Sequence, residues 1–293
     1  METPTMTHPI DTFFNTSSKA LNDSTNKQRE AYLATLIEEE AASDDTRVVT
    51  LRTAWLNALT SLCPAAFEKI AVKKKGGRGA NYDFLVIYQS DAGDIIYRQP
   101  IEFKYGGTAI SSHPQFLSLA EKAIPFPITY AEYFYTRYMA DFCSTDEELS
   151  VIPIPEKAFY LAKVYGCSYK RHPFFLKAKD RSEHNKAAKK AVVDASIAGF
   201  LEEYGPSCPI ATLTEIFKAK ELGKVFLLWD KDAGIFHMDR FTEEDLTVTE
   251  YVGIRGQNTL VVRSATREFR LLLRWKNHAG ILYPAWQISV TTR

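Results

Sequence analysis

Cysteine is scarce and scattered: the 293 residues contain Cys63, Cys143, Cys167 and Cys208. No pair stands at C-x-x-C spacing, which excludes a zinc knuckle and gives no sign of a disulfide framework. Long apolar runs are missing too, so no membrane span is expected. The polar start Met1-Glu2-Thr3-Pro4-Thr5 lacks the charged and apolar regions of a secretory signal. An intracellular protein of cytoplasm or nucleus is therefore expected. The six histidines show no H-x-x-x-H spacing, which argues against a zinc hydrolase. No G-x-S-x-G elbow or dinucleotide-binding fingerprint occurs, and Gly76-Gly77-Arg78-Gly79 is followed by no Gly-Lys-Ser/Thr opening a helix, so it is not a phosphate loop. Net charge is also absent, with 36 basic against 36 acidic side chains.

What the chain does contain is a folding composition. Apolar residues make up 45% of it, enough for one large core or two smaller ones. The most informative stretch runs from Phe67 to Gln115. Asn81-Tyr82-Asp83-Phe84-Leu85-Val86-Ile87-Tyr88 and the run around Ile101-Glu102-Phe103-Lys104 read as strands, separated by Ser90-Asp91-Ala92-Gly93-Asp94, which has hairpin-turn composition. Alternation puts Glu102 and Lys104 on one face and Ile101, Phe103 and Tyr105 on the other. Asp83 shares its face with Leu85 and Ile87, a side such a strand normally buries, where an acid is costly unless compensated. Two carboxylates and a lysine meeting at adjacent strand ends suit a divalent metal with a water beside it.

On these residues, Asp83, eighteen intervening positions and then Glu102-Phe103-Lys104, the chain resembles the PD-(D/E)XK nuclease superfamily. The resemblance covers roughly residues 30 to 140. It implies that Asp83, Glu102 and the Phe103 carbonyl hold Mg²⁺ or Mn²⁺ and that Lys104 orients or activates the attacking water. It also implies DNA as partner, with RNA left open, and admits a homodimer. The residue before the aspartate is Tyr82 where the superfamily pattern has proline. Accessory acids are sought on a preceding helix at Glu39, or at Glu68 leading into the first strand. Gln115 is a candidate on a helix after the lysine strand. The tripeptide alone is a weak signal, since exposed Glu-Lys pairs are common on edge strands and contribute about 0–1 kcal/mol. Glu268-Phe269-Arg270 repeats the pattern without the upstream acid and reads as a solvated strand face.

Charge is unevenly distributed. Residues 163–190 carry nine bases against Asp180 and Glu183, while residues 1–50 carry nine acids against four bases. A second basic group, Lys69, Lys73, Lys74, Lys75 and Arg78, precedes Asp83. Such patches bind phosphate backbones whatever the total charge, which nominates Lys73, Lys74, Lys75, Arg78, Lys186, Lys189 and Lys190 as nucleic-acid contacts. Ordinary solvated faces are the alternative.

In order, the chain is expected to hold a mobile leader (1–25), a nuclease-like core (26–150), a basic helical segment (151–223) and a β-rich section (224–293). Helices are expected over Gln28–Ala42, Val48–Leu62, Pro114–Lys122, Thr129–Phe142 and Ser182–Tyr204. The aromatics of Thr129–Phe142 read as core. From Lys224 strands dominate, the one around Phe226 completing the core sheet and the rest forming an accessory sheet. Trp275 and Trp286 read as buried in a sandwich, with Arg270, Arg274 and Lys276 as further DNA-contact candidates. The expected fold is thus α/β, with a restriction-endonuclease-like core (a mixed sheet flanked by helices) and a β-rich C-terminal extension. The expected function is a magnesium-dependent endonuclease-type hydrolase. A nucleic-acid-binding module with an inactive core, and an interaction domain with a buried ionic cluster, remain open.

Overall fold

A computed structural model describes residues 8–15, 22–39, 42–75, 81–166, 171–180, 182–277 and 280–293. Its helices are α1 (Pro9–Phe14), α2 (Asn22–Glu39), α3 (Thr46–Thr60), α4 (Tyr130–Ser144), α5 (Glu147–Ser150), α6 (Lys157–Lys163), α7 (Pro173–Ala178), α8 (Glu183–Tyr204), α9 (Ile210–Glu221) and α10 (Glu243–Leu246). Its strands are β1 (Lys69–Lys74), β2 (Phe84–Gln89), β3 (Ile95–Tyr105), β4 (Leu117–Ala120), β5 (Val225–Asp230), β6 (Ile235–Asp239), β7 (Glu250–Arg255), β8 (Thr259–Arg263), β9 (Arg267–Asn277) and β10 (Leu282–Thr292). The chain is mixed α/β and forms two units, one of Met1–His113 with Lys220–Thr242 and the other of Pro114–Ala219 with Glu243–Arg293. No described helix is long and apolar enough to cross a membrane.

In the first unit the strands run in the order β1-β2-β3-β5-β6. The turn after β2 closes because Gly93 takes φ 89°, a left-handed conformation that costs glycine little, and the Ser90 N–H donates to the Asp94 carbonyl. β1, β2 and β3 are successively antiparallel, and β5 returns parallel to β3 with Ile101 opposite Val225 and Lys104 opposite Leu228. This mixed sheet includes the strand around Phe226, as the sequence suggested. Phe84, Val86, Tyr88, Ile101, Phe103, Val225, Leu227 and Trp229 face a core completed by Leu33 and Leu36 of α2 and Val48, Leu51, Trp55 and Leu59 of α3. Trp55 is fully buried there, and truncating it to Ala is expected to cost about 3–5 kcal/mol.

Part of the expected leader is structured. Pro9 opens α1, His8 accepts the Ile10 N–H with its side chain, and Ile10 and Phe13 are wholly buried in the same core. Six residues are too few to show helical periodicity in sequence, and it is docking that fixes them: the Phe13 ring meets Tyr105 and Trp229 edge-on, and Arg29 Nε donates to the Phe13 carbonyl at 2.9 Å.

The second unit is a wholly antiparallel sheet, β4-β10-β9-β8-β7, covered on one face by helices. Trp275 and Trp286 are fully buried. Trp275 packs against Tyr130 and Phe134 of α4 and donates its Nε1–H to the Tyr130 hydroxyl at 2.9 Å; Tyr130 in turn shares a hydrogen bond with Ser196 of α8. The α4 aromatics are core, as read from the sequence, but the layers are helix on sheet rather than a sandwich. The helix expected over Pro114–Lys122 is absent: Leu117–Ala120 is strand β4, Leu117 and Leu119 buried and Ser118 and Ala120 exposed, paired with Ala285–Ile288. The chain therefore divides after residues 113, 219 and 242 instead of at 150 and 223, because β5 and β6 belong to the first sheet and residues from 114 onward supply the second.

Candidate active site

Register decides which polar groups meet. Phe84 pairs with Ile101, so Asp83, one position earlier, stands across the hairpin from Glu102. Its N–H donates to the Ile101 carbonyl at 2.9 Å, and its carbonyl accepts the Lys75 N–H at 2.7 Å, so Asp83 extends the ladder one rung before the start of β2. The carboxylate turns back to accept the Phe103 N–H on Oδ2 at 2.9 Å. Glu102 and Lys104 point away from the apolar core, as alternation requires, and Lys104 Nζ lies 2.8 Å from Glu102 Oε1. The other Glu102 oxygen faces Lys224 Nζ at 3.7 Å, and Lys224 also meets Glu221 Oε2 at 2.7 Å.

A fourth acid comes from α2. Glu30, half-buried, lies 3.6 Å from Lys74 Nζ and close enough to act on the charges of Glu102 and Lys104. The four carboxylates Glu30, Asp83, Glu102 and Glu221 thus outnumber the ammonium groups of Lys74, Lys104 and Lys224. Burial, followed by the negative charges of Glu102 and Glu30, pushes Asp83 up to about 7 against a smaller pull from the Phe103 N–H and Lys104. Burial likewise lifts Glu221 to about 7, its Oε1 having no hydrogen-bond partner. Burial also raises Glu30, with Lys74 opposing. Desolvation presses on the Lys104 ammonium, but Glu102 more than compensates, so it stays charged above the ordinary lysine range.

Beyond Lys104 the chain turns through Gly106 and Gly107, both left-handed at φ 86° and 81°. At Gly107 glycine is needed twice over, since a Cβ there would stand 2.9 Å from Ser112 Cβ. The turn brings the His113 imidazole near; burial, then the Lys104 charge, hold it below its usual pKa, and its Nε2 is buried without a partner.

Of the residues singled out in the sequence, Asp83, Glu102, Phe103 and Lys104 come together. Glu68 does not: its N–H bonds Gln89 at the opposite end of the hairpin, six residues or about 20 Å of strand from Asp83. The side chain of Glu39 lies outside the described residues, as does Arg78. Gln115 is in irregular chain before β4, since the helix expected to carry it does not form. Lys73, Lys74 and Lys75 are all exposed, and Lys74 leans to α2, donating to the Lys27 carbonyl at 3.0 Å. Lys189 is corrected outright. It is 2% exposed and sits 3.3 Å from buried Asp146, which also accepts from Asn185, so it cannot reach a phosphate backbone. Lys186 and Lys190 are exposed but paired with Glu183 and Asp194.

Glu30 and Glu221 were missed. Glu30 lies three residues before buried Leu33, on the flank of the apolar stripe of α2, which is where an acid must lie to reach a sheet the helix covers. Glu39, nine residues on, is about 13 Å further along the axis.

The donor set fits a hard divalent ion: two carboxylates on facing rungs, one held up by burial and then by like charge, the second of which a cation would relieve. Among the described residues no three Asp, Glu, His or Cys side chains form a metal-sized group. Mg²⁺ commonly takes one or two carboxylates and completes its shell with water and substrate phosphate, so a pair is sufficient. No family model matches the chain, and no curated protein matches it.

Proposed function

We propose that the protein is a divalent-metal-dependent nuclease hydrolysing DNA phosphodiester bonds, with a restriction-endonuclease-like core in its first unit. One observation carries this reading: Asp83 and Glu102 occupy facing rungs of a mixed sheet with Lys104 bonded to Glu102 on the same face. Asp83 and Glu102, with the Phe103 carbonyl, would hold Mg²⁺ or Mn²⁺. The ion, when bound, supplies a water of lowered pKa and charge stabilisation at phosphorus. Lys104 remains an ammonium, which suits it to orienting the nucleophilic water and stabilising the anion it becomes rather than to taking its proton. Glu102 fixes Lys104 by their 2.8 Å contact, and Lys224 and Glu221 buttress Glu102 from behind. The Phe103 N–H holds Asp83 against rotation out of the site.

Purified protein with Mg²⁺ or Mn²⁺ is expected to nick or degrade DNA. Asp83→Ala, Glu102→Ala and Lys104→Ala should each slow it by at least about 10²-fold, the scale of losing a metal ligand or a group that acts on the attacking water. Full activity in Lys104→Ala would refute the assignment. A second reading, a structural ionic cluster, is favoured by the engagement of both Glu102 oxygens with lysines. It is separated by Mn²⁺, which stabilises a two-carboxylate site and leaves a closed salt-bridge cluster unchanged.

A further inference from the structure

The open face of the second sheet carries an arginine cluster. Along β9, Phe269, Leu271, Leu273 and Trp275 point into the helix-covered core, so Glu268 and Arg270 point out. Register then gathers residues far apart in sequence. Glu268 pairs with Arg263 on one side and Thr291 on the other, and Arg270 lies two positions on. Arg255 of β7 and Arg293 beyond β10 complete a cleft of about 480 Å³. Four guanidinium groups line it, and among its lining residues Glu268 is the one acidic side chain.

That carboxylate is a buttress. It is 8% exposed, accepts Arg263 through Nε and Nη2 at 3.2 and 2.9 Å on Oε2, and meets Arg270 at 3.2 Å and Arg255 at 3.6 Å on Oε1. Glu268 thereby fixes three guanidinium groups in place while each retains donors that face solvent. Stability alone does not call for all of this: Arg263 satisfies Oε2 and Arg270 satisfies Oε1, so Arg255 and Arg293 add positive charge that Glu268 does not need and that repels itself. Lysine is absent from the lining, whereas arginine forks match pairs of phosphate oxygens. The cluster spans four neighbouring strands, about 14 Å, wider than one phosphoryl group.

We infer that this cleft is a binding site for the phosphodiester backbone of a nucleic acid. Binding there requires no metal, so it stands or falls separately from the nuclease reading. The same Glu-Phe-Arg tripeptide that reads in sequence as a solvated strand face supplies its centre.

The test is fluorescence anisotropy of the full chain with a labelled short oligonucleotide, single-stranded and duplex, in EDTA across about 50–200 mM salt. Arg255→Gln is the main variant, because Arg255 is the most exposed partner and leaves Glu268 two arginines. It should weaken binding about tenfold and flatten the log–log salt slope by about 0.9 on duplex or 0.7 on single strands. Arg270→Lys, which keeps the charge and loses the fork, should weaken binding with little change in slope. Arg137→Gln, an exposed charge of the same unit paired with Glu203, should do neither. Unchanged affinity and slope in folded Arg255→Gln, or an effect no larger than that of Arg137→Gln, would overturn the inference. If Arg255→Gln melts early, Arg270→Lys decides, and wild-type affinity there overturns it equally. Inorganic pyrophosphate should compete weakly; if it binds more tightly than the oligonucleotide, the cleft takes small anions and the nucleic-acid assignment fails.

Discussion

Asp83→Asn should make the metal-free protein more stable at pH 8 while abolishing its response to Mn²⁺. Asp83 is raised from 3.8 to about 7 by burial and by Glu102 and Glu30. For a carboxyl raised by folding, stability is fully present below the unfolded pKa, where both states hold the proton. It is lost progressively between about 3.8 and about 7, where the unfolded chain has given up a proton that the folded state still holds, and the loss is complete above about 7. At about 1.4 kcal/mol per pH unit, the interval caps the cost at roughly 4 kcal/mol at pH 8. Lys104 and the neighbouring lysines adjust to the charge, so a gain of about 1–3 kcal/mol is expected, or a rise in Tm of roughly 3–8 °C. Asn retains an oxygen for the Phe103 N–H, and its loss of charge leaves three carboxylates facing three ammonium groups. Thermal melts of both proteins at pH 5 and pH 8, with and without Mn²⁺, measure all of this. At pH 5 the difference should be about a third of its size at pH 8, since only part of the interval from 3.8 to about 7 has been crossed. An Asn variant less stable than wild type at pH 8, or one that Mn²⁺ stabilises equally, would refute the reasoning.

Glu30→Gln removes one of the anions that hold Asp83 up, so the pH at which Mn²⁺ begins to raise the Tm should move downward; an unmoved onset would show that Glu30 does not act on the site. Lys189→Met should destabilise the protein by about 2–4 kcal/mol, because Asp146 is left buried with weaker compensation, while the salt slope of DNA binding stays the same. A denaturant melt paired with a binding titration checks both halves of that expectation.

The site was legible where local chemistry and register agree. The β2–β3 hairpin announced itself through two β-branched and aromatic runs around Ser90–Asp94, and strand alternation then separated Glu102 and Lys104 from Ile101 and Phe103. β5 was readable as a strand of the first sheet from its apolar run of buried-strand length, while its parallel direction was not. Other features depend on contacts that sequence does not carry. Residues 114–122 contain good helix formers, and pairing with β10 overrides them; the two-residue alternation of Leu117 and Leu119 was the only local hint. Ile10 and Phe13 gain order from the core they enter. Lys189 looked like one more base in a basic run until Asp146, 43 residues earlier, neutralised it. Arg255, Arg263, Arg270 and Arg293 share no motif, and only the ladder of β7 to β10 makes them neighbours.

The nuclease reading rests on Asp83 and Glu102 holding a divalent metal beside Lys104. A crystal of the protein soaked in Mn²⁺ at pH 8, with anomalous data, tests it most directly. The expected result is one peak shared by the Asp83 and Glu102 carboxylates, at about 2.0–2.2 Å from each nearest oxygen, with Glu102 drawn away from Lys224. No peak there, with Glu102 still held between Lys104 and Lys224, would contradict it.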